Sequence, residues 1–182
     1  MEARRLAIPE VVAMEPRAFA DDRGVFFESF NAAGFAAATG LNPTFIQDNH
    51  SISRQGVLRG LHYQLPPFAQ GKLVRVVAGR AFDVAVDIRR SSPTFGKWVG
   101  ELLTAENRRQ LWIPEGFAHG FIALEAATQF LYKTTAAYDR ASERAIIWND
   151  AQLAIDWSFI GAPVVSAKDA EAPGFAAAEV FD

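Results

Sequence analysis

The chain of 182 residues holds three histidines, His50, His62 and His119, and no cysteine. His62 sits in a polar cluster set into strand-like sequence. Arg59-Gly60-Leu61-His62-Tyr63-Gln64 is followed by Pro66-Pro67 and by Gln70-Gly71-Lys72. Gln47, Asn49 and His119 fall on neighbouring candidate strands. Polar groups that converge inside a barrel are costly to bury unless a ligand or a network of partners satisfies them. A histidine in such a place is either a satisfied structural residue or an acid–base group, and residue type alone leaves both readings open. Lys72 taken singly reads as a solvated surface lysine. Tyr132 is either a core aromatic with its hydroxyl on a backbone partner or a phenol able to give up a proton. No glycine-rich phosphate loop of the Walker or dinucleotide type is present. Arg23, Arg59 and Lys168 are therefore the candidates for phosphate recognition, although each reads equally well as a surface residue.

Strands must position these side chains. Phe82, Val84, Val86 and Ile88 alternate with Asp83, Asp87 and Arg89, the period of a half-buried strand. Lys72 to Val77 reads as another strand, with Ala78-Gly79-Arg80 as the turn between the two. Val25 to Phe30, Thr44 to Asn49, Val57 to Gln64, Trp98 to Leu103, Gln110 to Ile113, Phe121 to Leu124 and Thr128 to Ala136 are further candidates. In the last of these, Thr128, Phe130, Tyr132, Thr134 and Ala136 share one face. If that face lines a pocket, Tyr132 lies deep and Tyr138 lies at the mouth, where an aromatic suits stacking on a flat base. Asn31 can cap a short helix through Ala38 with Phe35 buried and Gly40 at its end. The tail after Trp148 reads as short helices laid against the body. No long amphipathic helix alternates with the strands, so parallel βαβ units are excluded. The expectation is one domain over residues 1–182, an all-β sandwich or barrel with helical trimmings.

Composition narrows the functional classes. Half the chain is hydrophobic and 21 % is charged, which argues against disorder. The formal net charge of -3 gives no electrostatic footprint for nucleic acid or an anionic membrane. Without cysteine there is no disulfide framework, thiolate metal site or cysteine nucleophile, which suits a reducing cytoplasm. No apolar run is long enough to span a bilayer, and Met1-Glu2-Ala3-Arg4-Arg5 does not open a signal peptide. A cytoplasmic protein with neither nucleic acid nor membrane as partner is expected.

Ile113-Pro114-Glu115-Gly116-Phe117-Ala118-His119-Gly120-Phe121 resembles the second signature of cupins, in which Pro-x-Gly-x-x-His turns into a strand and points the histidine into a barrel. Metal-binding cupins add a His-x-His pair and a glutamate, whereas Gly60-Leu61-His62-Tyr63-Gln64 offers one histidine. No metal is expected, because a divalent site needs three or four suitable ligands.

Longer runs are similar to the dTDP-4-dehydrorhamnose 3,5-epimerase family. They are Phe45 to Ser51, Gly56 to Gln64, Phe82 to Arg89, Ser91 to Gly96, Trp112 to Phe121, Phe130 to Thr135 and Ser166 to Asp169, in order from about Leu6 to Phe175. The resemblance implies a cupin-like jelly roll with a few short peripheral helices, usually a homodimer, using neither cofactor nor metal. It implies inversion at C3 and C5 of dTDP-4-dehydro-6-deoxy-D-glucose on the route to dTDP-L-rhamnose, or, as the alternative, action on one carbon of a related nucleotide 4-keto sugar or mere binding of a sugar nucleotide. By the same resemblance His62 is the base, Asp169 its orienting carboxylate, Tyr132 the acid on the opposite face and Lys72 the holder of the C4 oxygen. Arg23, Glu28, Gln47, Asn49, Arg59, His119, Glu143 and Lys168 match sugar-nucleotide-binding positions, and Tyr138 matches the aromatic that stacks on thymine. Trp157-Ser158-Phe159-Ile160-Gly161-Ala162-Pro163 departs from the family's usual Trp-Pro and shorter loop.

Overall fold

A computed structural model describes residues 1–182. Two antiparallel sheets face one another. The first has six strands in the order β1 (Glu2–Arg5), β2 (Val12–Glu15), β10 (Gln110–Ile113), β7 (Lys72–Ala78), β12 (Thr128–Thr134) and β5 (Gln47–Ser53). The second has five, in the order β13 (Glu143–Ala145), β6 (Leu58–Gln64), β11 (Phe117–Ala123), β8 (Arg80–Asp87) and β9 (Trp98–Thr104). A separate ribbon pairs β3 (Ala18–Asp21) with β4 (Gly24–Phe27) and hydrogen-bonds to neither sheet. Helices are few: α1 (Ala32–Thr39), α2 (Ala167–Ala170) and a 3₁₀ turn at Phe175–Ala177. None is long and apolar enough to cross a membrane.

Three apolar clusters hold these layers. Val74, Val76, Ala85, Leu103, Leu111, Phe117, Phe121 and Phe130 fill the space between the sheets. The outer face of the five-stranded sheet carries Leu58, Leu61, Val84, Val86, Ile88 and Ile122, which the C-terminal segment covers with Leu153, Trp157 and Phe175. The outer face of the six-stranded sheet buries Val12, Met14, Leu73 and Trp112 under Phe35 of α1. That helix is framed as its sequence demands: Asn31 accepts from the Gly34 N–H at 3.0 Å and Gly40 closes it in the left-handed conformation.

Two expectations change here. The alternation along β8 is real, but neither face meets water: Asp83 and Asp87 are 0 % exposed, like Val84 and Val86. The strand lies mid-sheet, and the C-terminal segment covers its apolar face. Its alternate face, with Ala81, Asp83 and Ala85, therefore points between the sheets. Gly79 (φ +72°) does not close a hairpin either, since β7 and β8 belong to different sheets and the chain crosses between layers there.

The β6–β11 pairing is irregular at the place that matters most. His119 lies opposite His62 and Phe121 opposite Arg59, so two residues of β11 span three of β6. The extra residue is accommodated beside Gly60, where the backbones approach so closely that a Cβ would sit 2.5 Å from the Gly120 Cα and 2.8 Å from the His119 oxygen. Such a bulge reverses side-chain parity. Arg59 and His62, three apart and opposite in a regular strand, consequently face the same interior.

Gly60 and Gly24 provide a matched test, since their φ angles are +129° and +127° but nothing lies within 4 Å of a Cβ at Gly24. Gly24→Ala should cost about 1–3 kcal/mol of backbone strain. Gly60→Ala adds overpacking against fixed backbone, a further ~1–3 kcal/mol. Urea midpoints of the two variants check this, and equal losses would contradict the close-approach argument.

Candidate active site

Where the apolar filling between the sheets stops, a cavity of about 540 Å³ opens. The stacked rings of Phe121 and Phe130, 3.9 Å apart, mark the boundary. His62 and Arg59 enter from β6 and His119 from β11, while Lys72 enters from β7 and Tyr132 from β12. The two sheets thus contribute opposite walls. Lys168 and Asp169 of α2 close one side, and Tyr138 and Glu143 border it as well.

His62 and Asp169 form a dyad, with Nε2 to Oδ1 at 2.6 Å. The cap of α2 places the carboxylate, because the Ser166 side chain accepts the Asp169 N–H at 3.1 Å. Burial pushes the Asp169 carboxyl up, but the hydrogen bond and charge of His62, with help from Gly60 and Ser166, hold it below its ordinary value. An ionised Asp169 only accepts, so neutral His62 carries its proton on Nε2. Its Nδ1 is left as a free base.

Lys72 is buried, not solvated as its sequence context reads. Burial lowers its pKa to about 8 against the opposing charges of Asp83 and Glu143. Its Nζ donates to the His62 backbone oxygen at 3.2 Å, which brings the ammonium from one wall to the other. Burial raises the Tyr132 pKa, with Arg59 opposing, so the phenol keeps its proton at neutral pH. His119 is buried and its Nε2 meets Asp83 Oδ2 at 2.8 Å. Burial depresses the imidazole's pKa and raises the carboxyl's, each opposed by the other's charge. No three His, Asp or Glu side chains are grouped as a metal would require.

At the mouth, Glu143 gathers two partners on one oxygen: the Tyr138 hydroxyl donates at 2.9 Å and Lys168 Nζ lies at 2.5 Å. Tyr138 is 56 % exposed and lies beyond the end of β12, in a loop that Gln64 secures. Gln64 donates to the Phe68 and Ala137 oxygens and accepts from the Asp139 N–H. Gln47 and Asn49 bond to each other at 2.9 Å, and Gln47 also accepts the Tyr138 N–H. They adjoin the mouth without lining the cavity, and Arg59 lines it while donating to Ser53 Oγ at 3.2 Å. Arg23 and Glu28 stand apart from it. Arg23 is exposed at the ribbon turn and paired with Asp21 at 2.5 Å, and Glu28 follows β4 beside Asn31.

Sequence reasoning missed Asp83 as a member of this cluster. Its signal was the alternation in β8, which it shares with the inward Ala81 and Ala85.

Fold and cavity place the chain among jelly-roll proteins whose interior carries acid–base groups. Comparisons with known proteins narrow the class. The model of the dTDP-4-dehydrorhamnose 3,5-epimerase family matches residues 5–177. The enzyme of that name from Pseudomonas aeruginosa is 59 % identical over 181 residues, covering 100 % of this chain and 99 % of the relative. A solved dTDP-6-deoxy-D-glucose-3,5-epimerase from Legionella pneumophila, in complex with dTDP-4-keto-L-rhamnose, is 50 % identical with a TM-score of 0.93, covering 97 % and 93 % of the two chains. A 3'-monoepimerase from Streptomyces bikiniensis, in complex with dTDP-quinovose, is more distant at 33 % identity, TM-score 0.88 and coverage of 94 % and 86 %. The chain belongs to the dTDP-4-dehydrorhamnose 3,5-epimerase family and is a carbohydrate epimerase.

The buried lysine gives this site a measurable signature. The unfolded chain keeps that proton up to the ordinary 10.5, so between pH 8 and 10.5 it binds more protons than the fold, and stability rises with pH. In ¹³C-lysine-labelled protein, one ε-methylene signal, absent from Lys72→Met, should titrate near pH 8. A Lys72 signal titrating in the ordinary lysine range would contradict the burial argument.

Proposed function

We propose that this chain inverts C3 and C5 of dTDP-4-dehydro-6-deoxy-D-glucose, giving dTDP-4-dehydro-L-rhamnose for dTDP-L-rhamnose synthesis. The observation that carries the reading is the placing of His62 and Tyr132 on opposite sheets across one cavity. A ketone at C4 acidifies the hydrogens on C3 and C5. His62 Nδ1 removes one of them, the C–H electron pair moves into the enolate, and the negative charge develops on the C4 oxygen. The Lys72 ammonium stabilises that oxygen. Tyr132 then delivers a proton to the other face of the same carbon, which inverts it. Solvent then takes the proton from His62 and returns one to Tyr132, and the sequence repeats at the second carbon. No electrons are gained or lost, so the reaction requires no nicotinamide, and in this reading no cofactor or metal takes part.

Outside the ring, Arg59 and Lys168 supply cations for the diphosphate, Tyr138 stacks on the thymine, and His119, Glu143, Gln47 and Asn49 hold polar groups of the sugar nucleotide. Inversion at both carbons is favoured over a single inversion by the identity of 59 % and 50 % to the two 3,5-epimerases named above against 33 % to the monoepimerase. The whole chain acts as one cupin-type domain in this reading. The bridges Val57–Val164 and Arg89–Phe181, which fasten the tail to the barrel, support it.

The same reading makes the protein a cytoplasmic homodimer. The ribbon β3–β4 exposes Phe19, Val25 and Phe26 by 52, 56 and 72 %. Apolar surface of this kind, on an element paired with neither sheet, fits a second copy of the chain. The ribbon would then carry Arg23 and Glu28 to the partner's cavity, which accounts for two binding positions that this chain's own cavity does not include. Light scattering should return twice the 19.9 kDa chain mass, and a monomer at micromolar concentration would sink the dimer.

His62→Asn should abolish both inversion and exchange of ring hydrogens with deuterated solvent, since no enolate forms. Tyr132→Phe deletes only the hydroxyl. Exchange from the His62 side should survive while epimerisation falls by about 10²–10⁴-fold, the worth of a positioned general acid. Equal losses of exchange and inversion at both carbons would remove Tyr132 from the acid role.

A further inference from the structure

Behind the cavity wall lies a carboxylate with no solvent contact and an unfinished set of hydrogen bonds. Asp83, on the inward face of β8, is 0 % exposed. Its Oδ2 takes His119 Nε2 at 2.8 Å, while its Oδ1 has no partner. A buried, half-satisfied carboxylate costs free energy, and its inward-facing neighbours Ala81 and Ala85 show that this face packs with small apolar side chains. Asp83 is absent from the cavity lining, so any part it plays there is through groups that are present.

Two such groups feel it: His119 by a hydrogen bond and Lys72 by charge. An ionised carboxylate can only accept, so it receives the Nε2–H of a neutral His119. Nδ1 of that ring is thereby left as an acceptor. Asp83 also bears on Lys72. The charged or titratable groups that share the cavity with that lysine are His62, Arg59 and Tyr63 from β6, His119 from β11, Tyr132 from β12, Tyr138 from the loop after it, Glu143 from β13 and Lys168 and Asp169 from α2, with Asp83 of β8 behind the wall. Asp83 and Glu143 are the carboxylates that favour its charged form, Asp83 more strongly. Glu143 is itself engaged by Lys168 and Tyr138, whereas one oxygen of Asp83 is uncommitted.

We propose that Asp83 is a positioning residue for the epimerisation: it fixes His119 as the tautomer that accepts from the substrate through Nδ1, and it keeps Lys72 an ammonium beside the reacting ring. This rests on the function proposed above, which assigns the ammonium to the enolate oxygen.

Asp83→Asn keeps the size of the side chain and removes the charge. Loss of a neighbouring opposite charge lowers an ammonium pKa, here by about one unit or more. The alkaline limb of kcat/KM, which the proposal assigns to Lys72 and expects near pH 8, should therefore move down by at least about one unit. Turnover at pH 7 should fall by about 10–100-fold, as when a group that orients another is removed. A merely structural Asp83 would lower stability and leave the limb in place, and an unmoved limb overturns the proposal. Should the variant fail to fold, the native protein decides by ¹⁵N NMR of its labelled histidines. A neutral His119 protonated on Nε2 at pH 7 supports the proposal, while an Nδ1–H tautomer or an imidazolium overturns it. That spectrum needs no substrate. A native protein that fails to epimerise would therefore count against the proposed function and leave the tautomer readable.

Discussion

The close approach of two glycines, Gly60 of β6 and Gly120 of β11, is the constraint on which the site depends. It leaves no room for a side chain between the strands and inserts one extra residue into β6. Parity then turns over between Arg59 and His62. Without that shift, whichever of the two faced the cavity, the other would face the apolar layer that Leu58, Leu61 and the C-terminal segment fill. The bulge also accounts for where the dyad forms, since Asp169 approaches His62 from the segment packed on β6 and takes part of its support from the Gly60 backbone.

Charge inside a barrel is the second consequence. Lys72, Asp83, His119 and Asp169 are all buried, and a buried charge survives only beside a partner. The interior meets this with two carboxylate–imidazole pairs, whose imidazoles stand on the neighbouring strands β6 and β11, and one ammonium whose charge both Asp83 and Glu143 favour. Each pairing leaves a reactive edge. Asp169 holds a proton on the far nitrogen of His62 and frees the near one, while the depressed Lys72 carries its charge at pH 7 and is ready to lose it just above. The shifted groups therefore stand where proton transfer is proposed, opposite a tyrosine that burial keeps protonated.

Much of this was legible in the residues. Gln110–Ile113 is a strand as read, α1 is framed by Asn31 and Gly40, and the face shared by Thr128, Phe130 and Tyr132 turns inward. What escaped the sequence were long-range matters. Nothing local tells whether the polar face of β8 meets solvent or the interior, because that depends on the tail folding over its other face. A glycine after Ala78 signals a turn, but not that the chain changes sheets there. A bulge at Gly60 has no signature beyond the glycine itself, and Lys72 looks exposed until the opposite wall closes over it. Arg23 and Glu28 matched binding positions only by resemblance, and one chain does not bring them to its own cavity.

The account stands or falls on proton transfer from opposite faces of one ring. With the native protein in deuterated buffer and dTDP-4-dehydro-6-deoxy-D-glucose as substrate, proton NMR of the product reads configuration and label at C3 and C5 together. The account predicts inversion at both carbons, each carrying one solvent deuterium, with no label elsewhere on the ring. Inversion that retains the original hydrogen at either carbon would contradict it, since no base and acid on opposite walls can invert a centre without exchanging its proton.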